Sequence, residues 1–264
     1  MDFELITKQV CEISQEVGEF LKKEIHNIVP KDIEEKGKHD FVTYVDKTSE
    51  KMIVEKLSKI LPEAGFITEE NTASIKGKRF QWIIDPLDGT TNYINSIPLY
   101  STSIALVDRE EVVAGIINEV NLNECFYAWK EGPAYLNESE IKVTKTNSLD
   151  NALLATGFPY YDYGRLNEYL ELFKYLIENT SGIRRLGSAA VDMAWVACGR
   201  FDGFYEYGLS PWDVAAGTII VKQAGGKNSD FSGGNNFIFG KEIISTNSKI
   251  HKDFNCLLLK YFNK

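Results

Sequence analysis

Two aspartates, with a proline and a leucine between them, end an apolar run in the first third of the chain. Residues 82–84 lead into Asp85, and Asp88 follows directly before Gly89. A buried strand that ends on carboxylates is costly unless a cation or hydrogen-bond donors compensate the charge. Gly89 permits a turn with exposed amide hydrogens, so the segment can hold Mg²⁺ and phosphate together. The same dipeptides also close ordinary hairpins, and the segment alone leaves both interpretations open.

Acidic residues elsewhere favour the metal interpretation. Glu69 and Glu70 follow an apolar run, and Asp213 lies in the segment 210–217, so both sites fall where one predicted element meets the next. Oxygen ligands of this kind favour Mg²⁺, with Mn²⁺ as a possible substitute. The three histidines are scattered and show no ligand spacing, which argues against zinc or a histidine nucleophile.

Five segments in this order resemble the inositol monophosphatase family along nearly the whole chain. They are residues 40–46, the pair Glu69–Glu70, residues 85–91, residues 185–190 and residues 212–217. One short match would carry a real false-positive risk, whereas the ordered set makes chance agreement improbable. The resemblance implies an α+β fold, a layered α-β-α-β-α sandwich. It also implies an antiparallel-sheet lobe over residues 1–150, with most of the metal ligands, and an α/β lobe over residues 151–264, with Asp213 and the substrate contacts.

The resemblance assigns the metal ligands residue by residue. Asp85 bridges two Mg²⁺ ions, Glu69 and the main-chain carbonyl of Leu87 complete the first site, and Asp88 with Asp213 hold the second. A third, weakly held Mg²⁺ is expected near Glu69. The nature of the side chain at position 87 should matter little, because the ligand is a backbone oxygen.

The resemblance also assigns catalytic and substrate-binding residues. Asp46 and Thr90 match the pair that orients the attacking water, beside Glu69. The substrate contacts divide into a phosphate-binding set and a set for the hydroxyl-bearing part of the substrate: Gly89, Thr90 and Thr91, then Gly187, Ser188, Ala189 and Glu206.

Some candidates keep two interpretations. Asp192 either lines the cleft or points to solvent, and Arg184 and Arg185 either meet a second phosphate or pair with carboxylates. Glu206, taken without the resemblance, is an acidic residue at a strand end. Tyrosines near Pro159 leave open a nucleotide- or carbohydrate-binding surface, although aromatic residues in strands and turns more often belong to a core: Tyr160, Tyr161 and Tyr163.

The expected reaction is Mg²⁺-dependent hydrolysis of a small phosphate monoester by direct attack of water, without a phosphoenzyme. The segment 90–93 resembles the inositol branch, so inositol 1-phosphate is the expected substrate, with lithium sensitivity and a homodimer implied by analogy. Alternatives are fructose 1,6-bisphosphate, another sugar or nucleotide phosphate, and a moonlighting protein-binding regulator.

The composition and net charge limit the classes of binding partner that the chain can have. The chain has 264 residues, 44% of them hydrophobic, and a net charge of −9. This charge argues against direct nucleic-acid binding and against an anionic membrane surface. The four cysteines show no Cys-x-x-Cys pair, so we expect reduced, mostly buried thiols. The acidic start of the chain lacks a signal-peptide pattern, and we expect a cytoplasmic protein without membrane spans.

Hydrophobic periodicity predicts the elements that position these residues. A first amphipathic helix is expected to end at Pro30, followed by a strand over residues 41–45 and a helix that Asp46 caps. Residues 100–135 predict an antiparallel sheet. Beyond residue 150, short strands alternate with helices, including one over residues 188–198 and one over residues 214–224, as in an α/β lobe.

Overall fold

The computed structural model describes residues 1–29, 33–37, 40–73, 77–159 and 162–262. The helices in these ranges are α1 Phe3–Glu24, α2 Tyr44–Ile60, α3 Thr90–Ile94, α4 Leu166–Asn179, α5 Ala189–Ala197, α6 Pro211–Gln223 and α7 His251–Phe262. The strands are β1 Ile33–Gly37, β2 Asp40–Thr43, β3 Gly65–Thr68, β4 Phe80–Asp88, β5 Ser101–Asp108, β6 Glu111–Glu119, β7 Glu124–Trp129, β8 Ala134–Leu136, β9 Ser139–Glu140, β10 Leu153–Thr156, β11 Gly182–Arg184, β12 Gly203–Tyr207, β13 Lys227–Ser229 and β14 Glu242–Thr246.

Two large sheets organise the chain. The first has seven strands in sequence order from β3 to β9, with β3 and β4 parallel and every later neighbouring pair antiparallel. The second has the order β11-β10-β12-β14-β13, parallel around β10 and antiparallel around β14. The predicted antiparallel sheet is therefore present, and the second sheet is mixed rather than purely parallel.

Alternation along the strands divides the core between the layers. In β4, Ile84 packs against α1 and α2, while Ile83 packs toward α5 and α6. In β12, Phe204 joins the same α5–α6 layer, and Tyr205 packs on the other side with α4 and α7. Successive strand residues point to opposite faces, so each sheet is buried on both sides. The order of layers is α-β-α-β-α, which confirms the predicted sandwich.

Both sheets share the helices α5 and α6. The seven-stranded sheet comes entirely from residues before 150 and the five-stranded sheet from residues after 150. The proposed lobes, 1–150 and 151–264, follow this division, and the domain boundary itself stays a prediction. No helix within the described ranges combines the length and apolarity needed to cross a membrane.

Several predicted boundaries differ from the structure. Helix α1 ends at Glu24, six residues before Pro30. Strand β2 ends at Thr43, and Thr43 rather than Asp46 is the N-cap of α2, because its hydroxyl accepts the Val45 N–H at 3.1 Å. Asp46 instead closes the capping box by accepting the Thr43 N–H at 2.8 Å. The prediction of Asp46 as the cap was therefore wrong by three residues.

The cysteines are all free, as expected. Cys11 and Cys125 are buried, Cys198 is half-buried, and Cys256 is exposed. Burial of the thiols is thus less complete than the sequence predicted.

Candidate active site

A β-bulge in β4 brings the two motif aspartates to one face of the sheet. Asp85 pairs with Ser103 and Asp88 pairs with Ser101, so three residue steps on β4 oppose two on β5. In a regular strand, residues three apart point to opposite faces. The bulge adds one residue to this strand and so shifts the alternation of the side chains by one position. Asp85 and Asp88 therefore both face the α5–α6 layer.

The motif aspartates border a cavity of about 270 Å³. Twelve of the thirteen predicted site residues line it: Glu69, Asp85, Leu87, Asp88, Gly89, Thr90, Thr91, Gly187, Ser188, Ala189, Glu206 and Asp213. Asp192 and Arg185 line it as well, so the cleft position of Asp192 is the one the structure adopts. The cavity therefore collects residues from both sheets and from the helices between them.

Asp46 is the predicted site residue outside the cavity lining. It is fully buried, and the Thr90 hydroxyl lies 3.1 Å from its Oδ1 and 3.0 Å from the Leu87 carbonyl oxygen. Burial raises the pKa of Asp46, while bonds from Thr43 and Thr90 oppose that rise. Asp46 is thus connected to the cavity through Thr90.

The second half of the chain holds Asp88 in place. The Ser188 hydroxyl donates to Asp88 Oδ2 at 2.6 Å, and the Ala190 N–H donates to the same oxygen at 2.8 Å. Ser188 is also the N-cap of α5, and its hydroxyl accepts the Val191 N–H. Ser188 therefore positions a carboxylate in this structure, a contact that the sequence did not indicate.

Asp213 lies in the first turn of α6. Pro211 starts this helix three residues before the predicted boundary, and Asp213 accepts the Ser210 N–H at 2.7 Å. Proline is favoured at the first helical position, since its missing N–H would have no helical partner. This arrangement leaves the second carboxylate oxygen of Asp213 available to the cavity.

Burial and mutual repulsion act on the acidic groups. Burial, followed by the charges of Glu69, Asp88 and Asp213, raises the pKa of Asp85 well above its usual range. Burial raises the pKa of Asp88 to about 6, against the opposing bonds from Ser188 and Ala190. Burial and then the Asp88 charge raise the pKa of Asp213 to about 8. Such carboxylates are most stable when a proton or a cation neutralises them.

The donor set fits a hard divalent cation. Its candidate ligands are carboxylates together with one main-chain carbonyl, all oxygen donors. Within the described ranges, no three His, Cys, Asp or Glu side chains already form a closed ligand cluster. Asp88 and Asp213 each have one carboxylate oxygen engaged with protein donors. The charges of Glu69, Asp88 and Asp213 contribute to the raised pKa of Asp85, so these carboxylates form one negatively charged region that suits a divalent cation.

Two residues that the sequence analysis missed shape the cavity. Asn92 Nδ2 donates to the Leu99 carbonyl at 2.8 Å and to the Leu186 carbonyl at 2.9 Å, and so joins the two halves of the chain. Gly157 lies against Glu206, because a Cβ at this position would come within 2.0 Å of the Glu206 carboxylate atoms. No local pattern marks either role, since their partners are 94 and 49 residues away in sequence.

Of the three tyrosines considered as a binding surface, the structure describes Tyr163. Tyr163 is exposed and does not line the cavity. Tyr160 and Tyr161 lie outside the described residues.

The α-β-α-β-α sandwich and its carboxylate-lined cavity define a class of protein with an acidic site built between two sheets. The sequence profile of the inositol monophosphatase family matches residues 2–262, and the chain belongs to this family. Membership supports phosphatase activity, and the family is generally metal-dependent.

Relatives within the family differ in their named roles. The chain is 38% identical over 244 residues to the Nus factor SuhB of Pseudomonas aeruginosa, covering 90% of each chain. It is 41% identical over 209 residues to the fructose-1,6-bisphosphatase/inositol-1-monophosphatase of Aquifex aeolicus, covering 79% of each. The crystal structure of extragenic suppressor protein suhB from Bartonella henselae matches with a TM-score of 0.91 and 35% identity, over 97% of this chain and 99% of that one.

Proposed function

We propose that this protein hydrolyses a small phosphate monoester, inositol 1-phosphate first among the candidates, in a Mg²⁺-dependent reaction with water as the nucleophile. The observation that supports this most directly is the convergence of Glu69, Asp85, Asp88 and Asp213 in one cavity with Thr90 and Glu206. Asp85 would serve two ions, Glu69 and the Leu87 carbonyl the first, and Asp88 with Asp213 the second. Bound Mg²⁺ supplies charge neutralisation at the phosphate, acidification of water and stabilisation of the departing alkoxide.

The chain's own residues would orient the water. When the Thr90 hydroxyl donates to Asp46, its oxygen is left to accept a proton from a water in the cavity. Proton transfer from water to Thr90, coupled to transfer from Thr90 to Asp46, would leave hydroxide in the cavity and a neutral Asp46. The raised pKa of Asp46 favours its role as the final proton acceptor.

The substrate contacts would come from both sides of the cavity. Gly89 has φ +95°, which turns the backbone at the end of β4, and Thr90 and Thr91 line the cavity directly after it. They would donate hydrogen bonds to the phosphate group of the substrate. Gly187, Ser188, Ala189 and Glu206 line the second side. The Glu206 carboxylate, pressed against Gly157, suits a hydroxyl of a polyol.

The test is phosphate release from a panel of phosphorylated compounds in Mg²⁺. The panel contains inositol 1-phosphate, glycerol 2-phosphate, fructose 1,6-bisphosphate, histidinol phosphate and adenosine 3′,5′-bisphosphate. We expect the fastest turnover with inositol 1-phosphate, inhibition by millimolar Li⁺ and loss of turnover in Asp213→Asn. The matched control is Asp150→Asn, since Asp150 is exposed and distant in sequence from the motifs. An inert wild-type protein would contradict the proposal.

A bisphosphate substrate is the second candidate. Arg185 lines the cavity beside Gly187 and supplies a cation for a second phosphate. Preferential turnover of fructose 1,6-bisphosphate, reduced selectively by Arg185→Met, would favour this substrate over inositol 1-phosphate.

A regulatory binding role is the alternative to an enzymatic function. It is suggested by the likeness to proteins named Nus factor SuhB. Asp213→Asn separates the two roles, because binding to a protein partner should survive the loss of hydrolysis. The net charge of −9 favours protein partners over direct contact with nucleic acid.

We also propose a homodimer in the cytoplasm. Helix α4 presents Leu170 and Ile177 to solvent, 51% and 57% exposed. The two residues are seven apart and share one face of the helix, beside the half-buried Phe173. An exposed apolar stripe of this kind supports self-association.

A further inference from the structure

One carboxylate in the cavity has no role in the proposed reaction. Asp192 lies one turn into α5 and is 1% exposed, yet it lines the same cavity as the predicted ligands. Its Oδ1 is buried and has no hydrogen-bond partner among the described residues. A buried, unsatisfied carboxylate oxygen is unfavourable, and native structures retain few such groups without a reason.

The neighbouring donors on α5 are already engaged. The Ser188 hydroxyl and the Ala190 N–H both donate to Asp88, and the Val191 N–H donates to Ser188. The helix therefore directs its first-turn donors toward Asp88 and leaves Asp192 as an acceptor at the cavity wall. What is missing is a donor from within the cavity.

The position of Asp192 indicates which donor that is. Glu206 lies two residues after Phe204 on β12 and faces the same α5–α6 layer. Helix α5 packs against β12, so Asp192 and Glu206 line the cavity within one layer, where the proposed reaction places the hydroxyl-bearing part of the substrate. Burial and the charges of Glu206 and Asp88 raise the pKa of Asp192, while Arg185 opposes this rise. A carboxylate there accepts hydrogen bonds from hydroxyl groups, and a second carboxylate nearby accepts from a neighbouring hydroxyl.

We propose that Asp192 is a specificity-determining residue that accepts a hydrogen bond from a second hydroxyl of the leaving alcohol, beside the hydroxyl accepted by Glu206. This inference rests on the proposed phosphatase function and specifies its substrate class. The class is phosphorylated polyols with adjacent hydroxyl groups, which satisfy both acceptors at once. A monohydric alcohol phosphate leaves Asp192 unsatisfied and is disfavoured.

The experiment compares Asp192→Ala with Asp192→Asn and the wild-type protein. KM is measured for the polyol phosphate that the wild type hydrolyses fastest, and the inhibition constant of inorganic phosphate serves as the hydroxyl-free reference. We expect Asp192→Ala to raise KM about 10- to 100-fold, as for loss of a hydrogen bond to a charged group. The inhibition constant of phosphate should change by less than about twofold. Asp192→Asn keeps an acceptor oxygen and should show a smaller loss.

Thermal unfolding separates this role from a structural one. Because Asp192→Ala removes a buried group without a partner, the melting temperature should stay the same or rise. A lower melting temperature together with equal weakening of polyol phosphate and inorganic phosphate would overturn the assignment, as would an unchanged KM. A wild-type protein that hydrolyses no member of the panel would instead contradict the proposed function itself.

Discussion

At the scale of single residues, the requirements for binding a cation oppose the stability of the metal-free protein. Asp85, Asp88 and Asp213 are withdrawn from water and repel one another. The same burial and proximity that make them suitable ligands raise the free energy of their ionised forms. Their removal should therefore have opposite effects on activity and on metal-free stability.

Asp213→Asn is expected to show both effects. Turnover should fall by about 10³-fold, the order that corresponds to several kcal/mol of lost transition-state stabilisation. In chelator, at a pH above 8, the variant should melt at a higher temperature than the wild type, because an amide replaces an ionised buried group and still accepts the Ser210 N–H. Calorimetry of both proteins in EDTA tests this, with Asp150→Asn expected to match the wild type.

The pH dependence of metal-free stability follows from the same groups. The pKa of Asp213 is about 8 in the folded protein and lies near 3.8 in the unfolded chain, so between these values the folded state binds more protons. The stabilising contribution of the protonated group is fully present below about pH 4 and is lost as the pH rises to about 8. Asp88, with a folded pKa of about 6, acts in the same direction at lower pH.

We therefore expect the melting temperature in EDTA to fall between pH 5 and 8 more steeply for the wild type than for Asp213→Asn. Saturating Mg²⁺ should reduce this difference, because a bound cation compensates the ionised carboxylates. Identical slopes for the two proteins in EDTA would contradict the assigned shift.

Thr90 provides a test of the water-orienting pair. Thr90→Ser keeps a hydroxyl within reach of Asp46 and should retain most of the turnover number. Thr90→Val has nearly the same volume without the hydroxyl and should lower kcat about 10²-fold, within the usual range for general-base assistance. Steady-state kinetics distinguish the two, and equal rates for both variants would remove Thr90 from proton transfer.

At the scale of secondary-structure elements, the site depends on how helices begin. Asp46 and Asp213 are both the third residue of a helix, and each accepts the backbone N–H of its own N-cap residue. This contact fixes the side-chain direction before any ligand arrives. These two carboxylates are therefore preorganised by local backbone structure.

Substitution of Asn92 tests the hydrogen-bonded contact between the two halves of the chain. Asn92→Ala removes two donors and leaves the carbonyls of Leu99 and Leu186 without them, which should lower stability by about 2 kcal/mol. It should also lower kcat, because Thr91 and Gly187 lose their fixed relation. Asn95→Ala is the matched control, since Asn95 is exposed and its side chain donates to the Thr91 carbonyl of the adjoining helix α3. Urea unfolding and kinetics on both variants give the comparison.

Features of the fold with local sequence signals could be predicted, whereas features that depend on distant contacts could not. The Asp-Pro-Leu-Asp-Gly segment and the helix that contains Gly217 carry local signals, so their residues and their approximate boundaries were predicted. Helix α6 begins at Pro211 and helix α2 follows the N-cap Thr43, so both helices start earlier than predicted. Capping bonds rather than hydrophobic periodicity decide where a helix begins. The roles of Asn92, Gly157 and Ser188 depend on partners 49 to 100 residues away, and only the assembled fold could show them.

At the scale of the whole molecule, the apolar face of α4 carries the prediction for assembly. Leu170→Asp with Ile177→Asp places two charges on the exposed stripe and should shift the protein from dimer to monomer. Sedimentation at micromolar concentration measures the change. Leu122→Asp, at a residue 52% exposed in the turn between β6 and β7, is the control and should stay dimeric. A wild-type protein that sediments as a monomer would contradict the homodimer.

The bulge in β4 has a consequence for how this sequence can vary over evolution. Loss of Pro86 or Leu87 would leave two residue steps opposite two, so a regular ladder would keep both aspartates on one face but would remove the extra main-chain carbonyl of the bulge. One residue gained in β5 between Ser101 and Ser103 would instead allow three steps to pair with three, and would turn one aspartate toward the α1–α2 side of the sheet. We therefore expect the relative lengths of these two strand segments to be more constrained than the identities of the residues between the aspartates. Point mutations and single-codon insertions in this pair of strands should consequently differ sharply in the frequency with which functional variants survive.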